Sequence, residues 1–165
     1  MVVILDNIRS LYNVGSIFRT ADAAGVEKIY LCGITPEPAD RFGKPRQQFI
    51  KVSLGAEKSV PWDASARSAR ATLKLLERLK KEGYKIWAVE QSKKSIPYYK
   101  LKPFDKAQGK NKNNLVLIFG NEVKGIPPAI LKKCDKILEI PMRGKKESLN
   151  VSVAFGIVVF SLLHP

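Results

Sequence analysis

Histidine is almost missing from this chain: one, His164, stands beside the carboxyl terminus and reads as a frayed end. That leaves no Ser-His-Asp or Cys-His set for nucleophilic catalysis. The two cysteines, Cys32 and Cys134, have neither metal nor redox spacing. Both are expected as reduced thiols in or near the core of a cytosolic protein. No apolar run approaches the roughly 20 residues of a spanning helix, and Met1 leads into a strand pattern rather than a signal peptide. Neither G-x-G-x-x-G after a strand nor G-x-x-x-x-G-K-[ST] occurs, which argues against a Rossmann dehydrogenase or a P-loop ATPase. Acidic side chains are scarce. Asp and Glu number 15 against 29 Lys and Arg, for a net charge of +14. A small soluble domain usually carries about 2–8 charges of either sign. The excess points to a polyanionic partner, foremost nucleic acid; solubility is the plainer alternative.

What is present describes one domain, residues 1–165, long enough for a real core and 45% hydrophobic. The organising stretch is Ile140 to Leu163. A strand end breaks at Pro141, a basic loop follows, and then come Ser148, Leu149 and Asn150. From Val151 to Leu163 only Ser152, Gly156 and Ser161 interrupt the apolar run. Ser148 or Asn150 can cap this run as a helix. A helix apolar on every side must be covered on every side, so one flank should rest on its own sheet and the other on a partner subunit.

Upstream, Val2–Asp6 reads as a buried strand and Asn7–Tyr12 as a loop. Val14–Ala24 has helical spacing, with a stop at Gly25, and Glu27–Cys32 reads as a second, parallel strand. Residues 34–62 read as a long loop broken by Pro36, Pro38, Gly43, Pro45, Gly55 and Pro61. In it Arg41, Lys44, Arg46, Lys51 and Lys58 alternate with Phe42, Phe49 and Trp62. That mixture suits phosphate pairing and base stacking on RNA, or a solvated loop with its aromatics tucked under. Asp63 is expected to cap a helix running to Glu82, with Ala66, Ala69, Leu73, Leu76 and Leu79 on its apolar face. Arg67, Arg70, Lys74, Arg78 and Lys81 then form a solvated face. Strands follow at Tyr84–Val89, Leu115–Phe119 and Lys136–Ile140, with a turn or short helix around Pro97–Leu101 and a short helix at Ala129–Lys133. The alternation predicts an α/β fold: a mainly parallel sheet with helices on both faces.

Ligands of such sheets bind outside the carboxyl ends of the strands. Three polar clusters fall there: Asn13 to Arg19, Gly120 to Gly125, and Arg143 to Asn150. Each alone is a turn, a cap or a surface charge. Together, Asn13-x-Gly15-x-x-x-Arg19, LVLIFGNEVKGIP and IPMRGKKESLNVSVAFGI resemble the three motifs of the SpoU (TrmH) family of the SPOUT superfamily. The stretch Val52–Trp62 (VSLGAEKSVPW) is also similar to that family. The likeness spans nearly the whole chain in order.

The resemblance implies S-adenosylmethionine-dependent methyl transfer to an RNA ribose 2′-hydroxyl, on tRNA or rRNA. It also implies a carboxyl-terminal trefoil knot and a homodimer formed through the final helix, without membrane or metal. The cofactor would lie against Val89, Glu90, Gly120, Asn121, Glu122, Ile140, Met142, Ser148 and Leu149. Catalysis would fall to Arg19, with Asn13, Glu122, Ser148 and Asn150 orienting the ribose and the arginine. A guanidinium stays protonated, so Arg19 suits phosphate gripping or alkoxide stabilisation better than general-base work. RNA would be met by Arg19, Arg41, Lys44, Arg46 and Lys51. Three alternatives stay open: a non-catalytic RNA-binding module on the same fold, a SPOUT base methyltransferase, and a small-molecule nucleotide-binding protein.

Overall fold

The computed structural model describes residues 1–101 and 114–164. Its core is a seven-stranded sheet built from β1 (Val2–Asp6), β2 (Lys28–Cys32), β3 (Trp62–Asp63), β4 (Lys85–Val89), β5 (Ile96–Pro97), β6 (Leu115–Phe119) and β7 (Lys136–Glu139). The order is β3-β2-β1-β6-β4-β7-β5, and every pairing is parallel. The central strands β1 and β6 are buried at all five positions. Their unbroken apolar runs, VVILD and LVLIF, follow from that, because a strand covered on both faces has no polar side to alternate with.

The two faces carry separate cores. On one, Val3, Leu5, Leu117 and Phe119 pack under α1 (Leu11–Ala24) and α6 (Val151–Leu163). On the other, Val2, Ile4, Val116 and Ile118 meet α4 (Ala69–Lys81) and α5 (Pro128–Leu131). Helices α1 and α6 lie side by side with their starts together, since Asn150 Nδ2 donates to Asn13 Oδ1 at 3.0 Å and His164 Nε2 lies 3.4 Å from Ala24 O near their ends. Phe155 of α6 meets Phe119 with ring centroids 5.2 Å apart, an aromatic contact worth about 0.5–1.5 kcal/mol beyond its buried area.

Several boundaries differ from the sequence reading. Residues 34–62 are not one loop: α2 (Gln47–Ser53) and α3 (Ala56–Ser59) form there, followed by β3. They are too short to show a helical period, and burial drives them. Phe49 is fully buried and stacks edge-on against Phe18 at 5.3 Å. Helix α2 can come this close because of Gly15 on α1, where an added Cβ would stand 3.1 Å from Val52 Cβ and 3.3 Å from Phe49 O.

Helix α4 is capped by Ser68, whose hydroxyl accepts from Ala71 N, and not by Asp63; the Asp63 carboxylate instead accepts from Ser65 N in the turn after β3. Its buried face is Thr72, Leu75, Leu76 and Leu79, while Ala69 is exposed and Leu73 half-buried. Arg70, Lys74, Arg78 and Lys81 are exposed on it, whereas Arg67 lies before the helix and donates to Gly33 O and Thr35 O. Helix α1 starts at Leu11 with Ser10 as its cap. The 97–101 region forms β5 and a 3-10 turn, Tyr98–Lys100. His164 is not a frayed end, since its ring packs 5.6 Å from that of Phe160. Cys32 is buried and Cys134 half-buried, both as free thiols. Among the described residues no helix is long and apolar enough to cross a membrane, and no His/Cys/Asp/Glu group is placed to hold a metal.

Candidate active site

The carboxyl ends of β4, β6 and β7 open into a cavity of about 340 Å³. Val89 and Glu90 border it from β4, Gly120, Asn121 and Glu122 from β6, and Ile140, Met142, Ser148 and Leu149 from the segment joining β7 to α6. The three motifs are far apart in sequence and meet because parallel strands deliver their carboxyl ends to one edge.

The turn after β6 is rigid. Asn121 Oδ1 accepts from Val123 N and Lys124 N, Asn121 Nδ2 donates to Asn7 O at 2.7 Å, and Gly125 N returns to Asn121 O at 2.9 Å. Gly125 has a φ of +66°, and a Cβ there would stand 2.3 Å from Glu90 Oε2. Glu90 holds the turn from the far side, with Oε2 accepting from Ile126 N at 2.8 Å and Oε1 from Gln91 N at 2.8 Å. So Glu90 borders the cavity, yet both its oxygens already accept from backbone amides.

Glu122 ties this turn to α1. Its oxygens accept from Arg9 N (2.9 Å), Ser10 N (3.1 Å) and Asn13 Nδ2 (3.0 Å). Two of these donors are amides at the amino-terminal end of the helix, where backbone groups lack helical partners and the dipole favours an anion. Asn13 passes the chain on: its Oδ1 accepts from Asn150 Nδ2, and Asn150 Oδ1 accepts from Ser152 N and Ser152 Oγ. Asn150, rather than Ser148, is the cap of α6. Partial burial pushes the Glu122 pKa up, but the hydrogen bonds from Arg9, Asn13 and Ser10 outweigh it and hold it below the ordinary 4.5. A depressed carboxylate adds stability that is present above the ordinary value and lost as the pH falls through the folded one. The stability gap between wild type and Glu122→Gln is therefore expected to be widest above about pH 4.5 and to close below it, read by denaturant melts across a pH series. A gap independent of pH would remove this charge-based account.

Arg19 stands apart. It is exposed on α1, does not border the cavity, and among the described residues its side chain has no ion pair or hydrogen bond. Its neighbour Thr20 faces α6, since a Cβ on Gly156 would lie 3.7 Å from Thr20 Cγ2. Residues adjacent in a helix point about 100° apart, so Arg19 faces away from that contact, toward solvent. Arg41 and Arg46 border a different cavity beyond β2, Lys44 sits in the turn between them, and Lys51 is exposed on α2.

The sequence reading gives two groups no role, Gln91 at the end of its strand and Asn7 in a loop. Gln91 Nε2 donates to Glu147 O at 2.6 Å and is the one hydrogen bond, among the described residues, from residues 141–149 to the rest of the protein. Asn7 adopts a φ of +58° and links the segment after β2 to the turn after β6. Gln91 was findable as a polar residue at a strand's carboxyl end; nothing local marks Asn7.

The family profile described as the SpoU rRNA Methylase family matches residues 1–160. This chain belongs to the SpoU methylase family. It is 33% identical to the 23S rRNA (guanosine-2'-O-)-methyltransferase RlmB of Escherichia coli K12, over 99% of this chain and 59% of that protein. It is 34% identical to the tRNA (guanosine(18)-2'-O)-methyltransferase of Aquifex aeolicus, over 97% of this chain and 67% of that protein. Among solved structures it is similar to the A. aeolicus TrmH/SpoU tRNA modifying enzyme, with a TM-score of 0.77 at 31% identity, covering 98% of this chain and 73% of that one. It is also similar to the AdoMet-bound rRNA methyltransferase of Sinorhizobium meliloti, with a TM-score of 0.78 at 28% identity over 98% and 54% of the two chains. The SpoU chain described here spans about three-fifths of the RlmB relatives' length.

Proposed function

We propose that this SpoU domain transfers a methyl group from S-adenosylmethionine to a ribose 2′-hydroxyl of tRNA or rRNA. The observation that carries the reading is the junction of the three motifs at one edge: a cavity at the strand ends with the Glu122–Asn13–Asn150 chain on its rim. The names of the relatives support the ribose and both RNA classes.

The cavity suits the cofactor's chemistry. Ile140, Met142 and Leu149 offer apolar contact for a flat heterocycle, and the backbone of 141–149 has amides and carbonyls with no protein partner among the described residues. Such free groups can pair with an adenine edge. Gly120–Glu122, Val89, Glu90 and Ser148 would complete the enclosure. When bound, S-adenosylmethionine supplies an electrophilic methyl on a sulfonium. The chain's own part is orientation and charge. Ser148, Asn13 and Asn150 hold the ribose at the rim, Glu122 fixes Asn13, and Arg19 grips a target phosphate or stabilises negative charge developing on the ribose oxygen.

A homodimer belongs to the same reading. Leu149, Val153 and Phe160 are 42%, 50% and 41% exposed on or beside α6, an apolar face its own sheet leaves uncovered. The trefoil knot does too, supported by the return of the chain from β7, outside β4, to α6 beside α1. With a cytoplasmic location and RNA contacts through Arg19, Arg41, Lys44, Arg46 and Lys51, the net charge of +14 has its partner.

The test is transfer of labelled methyl from S-adenosylmethionine to tRNA, and separately to rRNA, followed by digestion to nucleosides. A 2′-O-methylnucleoside is expected. A methylated base would keep the cofactor and overturn the ribose assignment. Cofactor binding without transfer to either RNA would favour the non-catalytic module.

A further inference from the structure

A phenylalanine is held out in water at the tip of a braced turn. Phe42 is 73% exposed, yet its turn is well fixed. Asp40 Oδ1 accepts from Phe42 N (2.8 Å) and Lys44 N (2.9 Å), Asp40 N donates to Lys44 O, and Arg46 Nε reaches Ala39 O at 3.2 Å. The guanidinium of Arg41 lies over the Phe42 ring, 4.7 Å from its centroid. Ile34, 67% exposed, stands on the segment that precedes the turn.

The charge around the ring is also unbalanced. Asp40 is occupied with the turn's own amides, and Glu37 is paired with Arg67. Arg41, Lys44 and Arg46 have no ion pair among the described residues. A cavity of about 360 Å³ opens beside them, within the usual range of small-ligand pockets. Burial would stabilise an exposed phenylalanine, whereas here the backbone is braced so as to present it. An aromatic face flanked by unpaired cations is the recognition chemistry of an unpaired nucleobase, by stacking on the ring and pairing with adjacent phosphates.

The segment that leads into the turn is also tied to the edge where the cavity opens. Strands β2 and β6 flank β1, so their carboxyl ends are about 10 Å apart at the usual strand spacing. Asn7 spans the gap, accepting from Ile34 N at 3.3 Å through Oδ1 and from Asn121 Nδ2 at 2.7 Å through its carbonyl. Resting on the RNA-methyltransferase reading above, we propose that residues 39–46 form a subsite for an unpaired base of the RNA outside the target nucleotide. That base stacks on Phe42, and its backbone is held by Arg41, Lys44 and Arg46.

The experiment compares wild type, Phe42→Ala and Phe42→Trp for binding to an RNA stem with an unpaired loop and to a blunt duplex of the same composition. Base stacking predicts that Phe42→Ala loses roughly ten- to hundredfold in affinity for the stem–loop, with duplex binding and salt dependence unchanged. Phe42→Trp should restore the affinity, with its added fluorescence quenched by the stem–loop. Unchanged stem–loop binding by Phe42→Ala overturns the subsite, and so does an equal loss on both RNAs. A shift in oligomeric state without a change in RNA binding, seen by sedimentation velocity, overturns it as well and makes Phe42 a protein contact. Methyl transfer by wild type, measured on the same preparation, reports separately on the enzyme reading: transfer without a Phe42 effect refutes only the subsite.

Discussion

Arg19→Ala is expected to lower methyl transfer by roughly 10²–10³, the usual cost of removing one donor aimed at developing charge, while S-adenosylmethionine binds as it does to wild type. The split follows from position. Arg19 is six residues beyond Asn13, about 9 Å along the helix, and does not border the cavity. Its removal leaves every cavity wall and every bond of the Glu122–Asn13–Asn150 chain in place. No carboxylate neutralises it among the described residues: Asp22, three residues on, accepts instead from Ser59 Oγ at 2.6 Å. An exposed, unpaired arginine on α1 is available to RNA or to groups across a subunit contact. Arg19→Lys keeps the charge but loses the planar fork, and should fall between wild type and Arg19→Ala. Single-turnover transfer with saturating RNA, alongside calorimetric cofactor binding, measures both halves. Full activity in Arg19→Ala would withdraw Arg19 from catalysis; a parallel loss of cofactor affinity would place it in the cavity after all.

The parts of the fold that the sequence exposes are those where one residue's environment is set by its own segment. VVILD and LVLIF announce central strands because both faces are covered, and the polar residues before thirteen apolar ones announce a capped helix, though only the structure chooses Asn150 over Ser148 as the cap. Helices α2 and α3 were illegible, because seven and four residues hold no period. What makes them helices is Phe49 under Phe18 and the close approach that Gly15 permits, and these are contacts between distant parts of the chain. Two-residue strands such as β3 and β5 are likewise fixed by the edge they join.

The site divides the same way. Its residues could be picked out as polar clusters after strands, but their division of labour could not. Glu90 could equally have faced a ligand; the structure commits both its oxygens to Ile126 N and Gln91 N. Glu122 gives its carboxylate to the start of α1 and so joins motif two to motif one. Asn150 joins motif three to motif one through Asn13.

Gly120→Ala should do large damage for one added carbon, because the atoms it meets include backbone. The backbone at 120 lacks the positive φ of the left-handed region, so the objection is purely steric. An added Cβ would stand 2.5 Å from Ile126 Cγ1 and 2.7 Å from both Gly125 C and Ile126 N. The Ile126 side chain can rotate, but the two backbone atoms cannot leave without moving the turn. That turn is fixed at Asn7, at Glu90 and within itself. The missing side chain at 120 thus serves the folding-back of residues 121–126 before it serves any ligand. Overpacking of this kind costs about 1–3 kcal/mol, and the shift would also carry the Glu122 carboxylate away from Arg9, Ser10 and Asn13. Gly120→Ala is expected to fold with a lowered melting temperature, to bind S-adenosylmethionine more than tenfold less tightly, and to lose transfer. Gly144→Ala is the matched control, since a Cβ there meets nothing within 4 Å, and it should leave stability and cofactor affinity near wild type. If Gly120→Ala binds the cofactor as wild type does, the 120–126 turn is not a wall of the cofactor site, and the cavity at the ends of β4, β6 and β7 must serve another ligand.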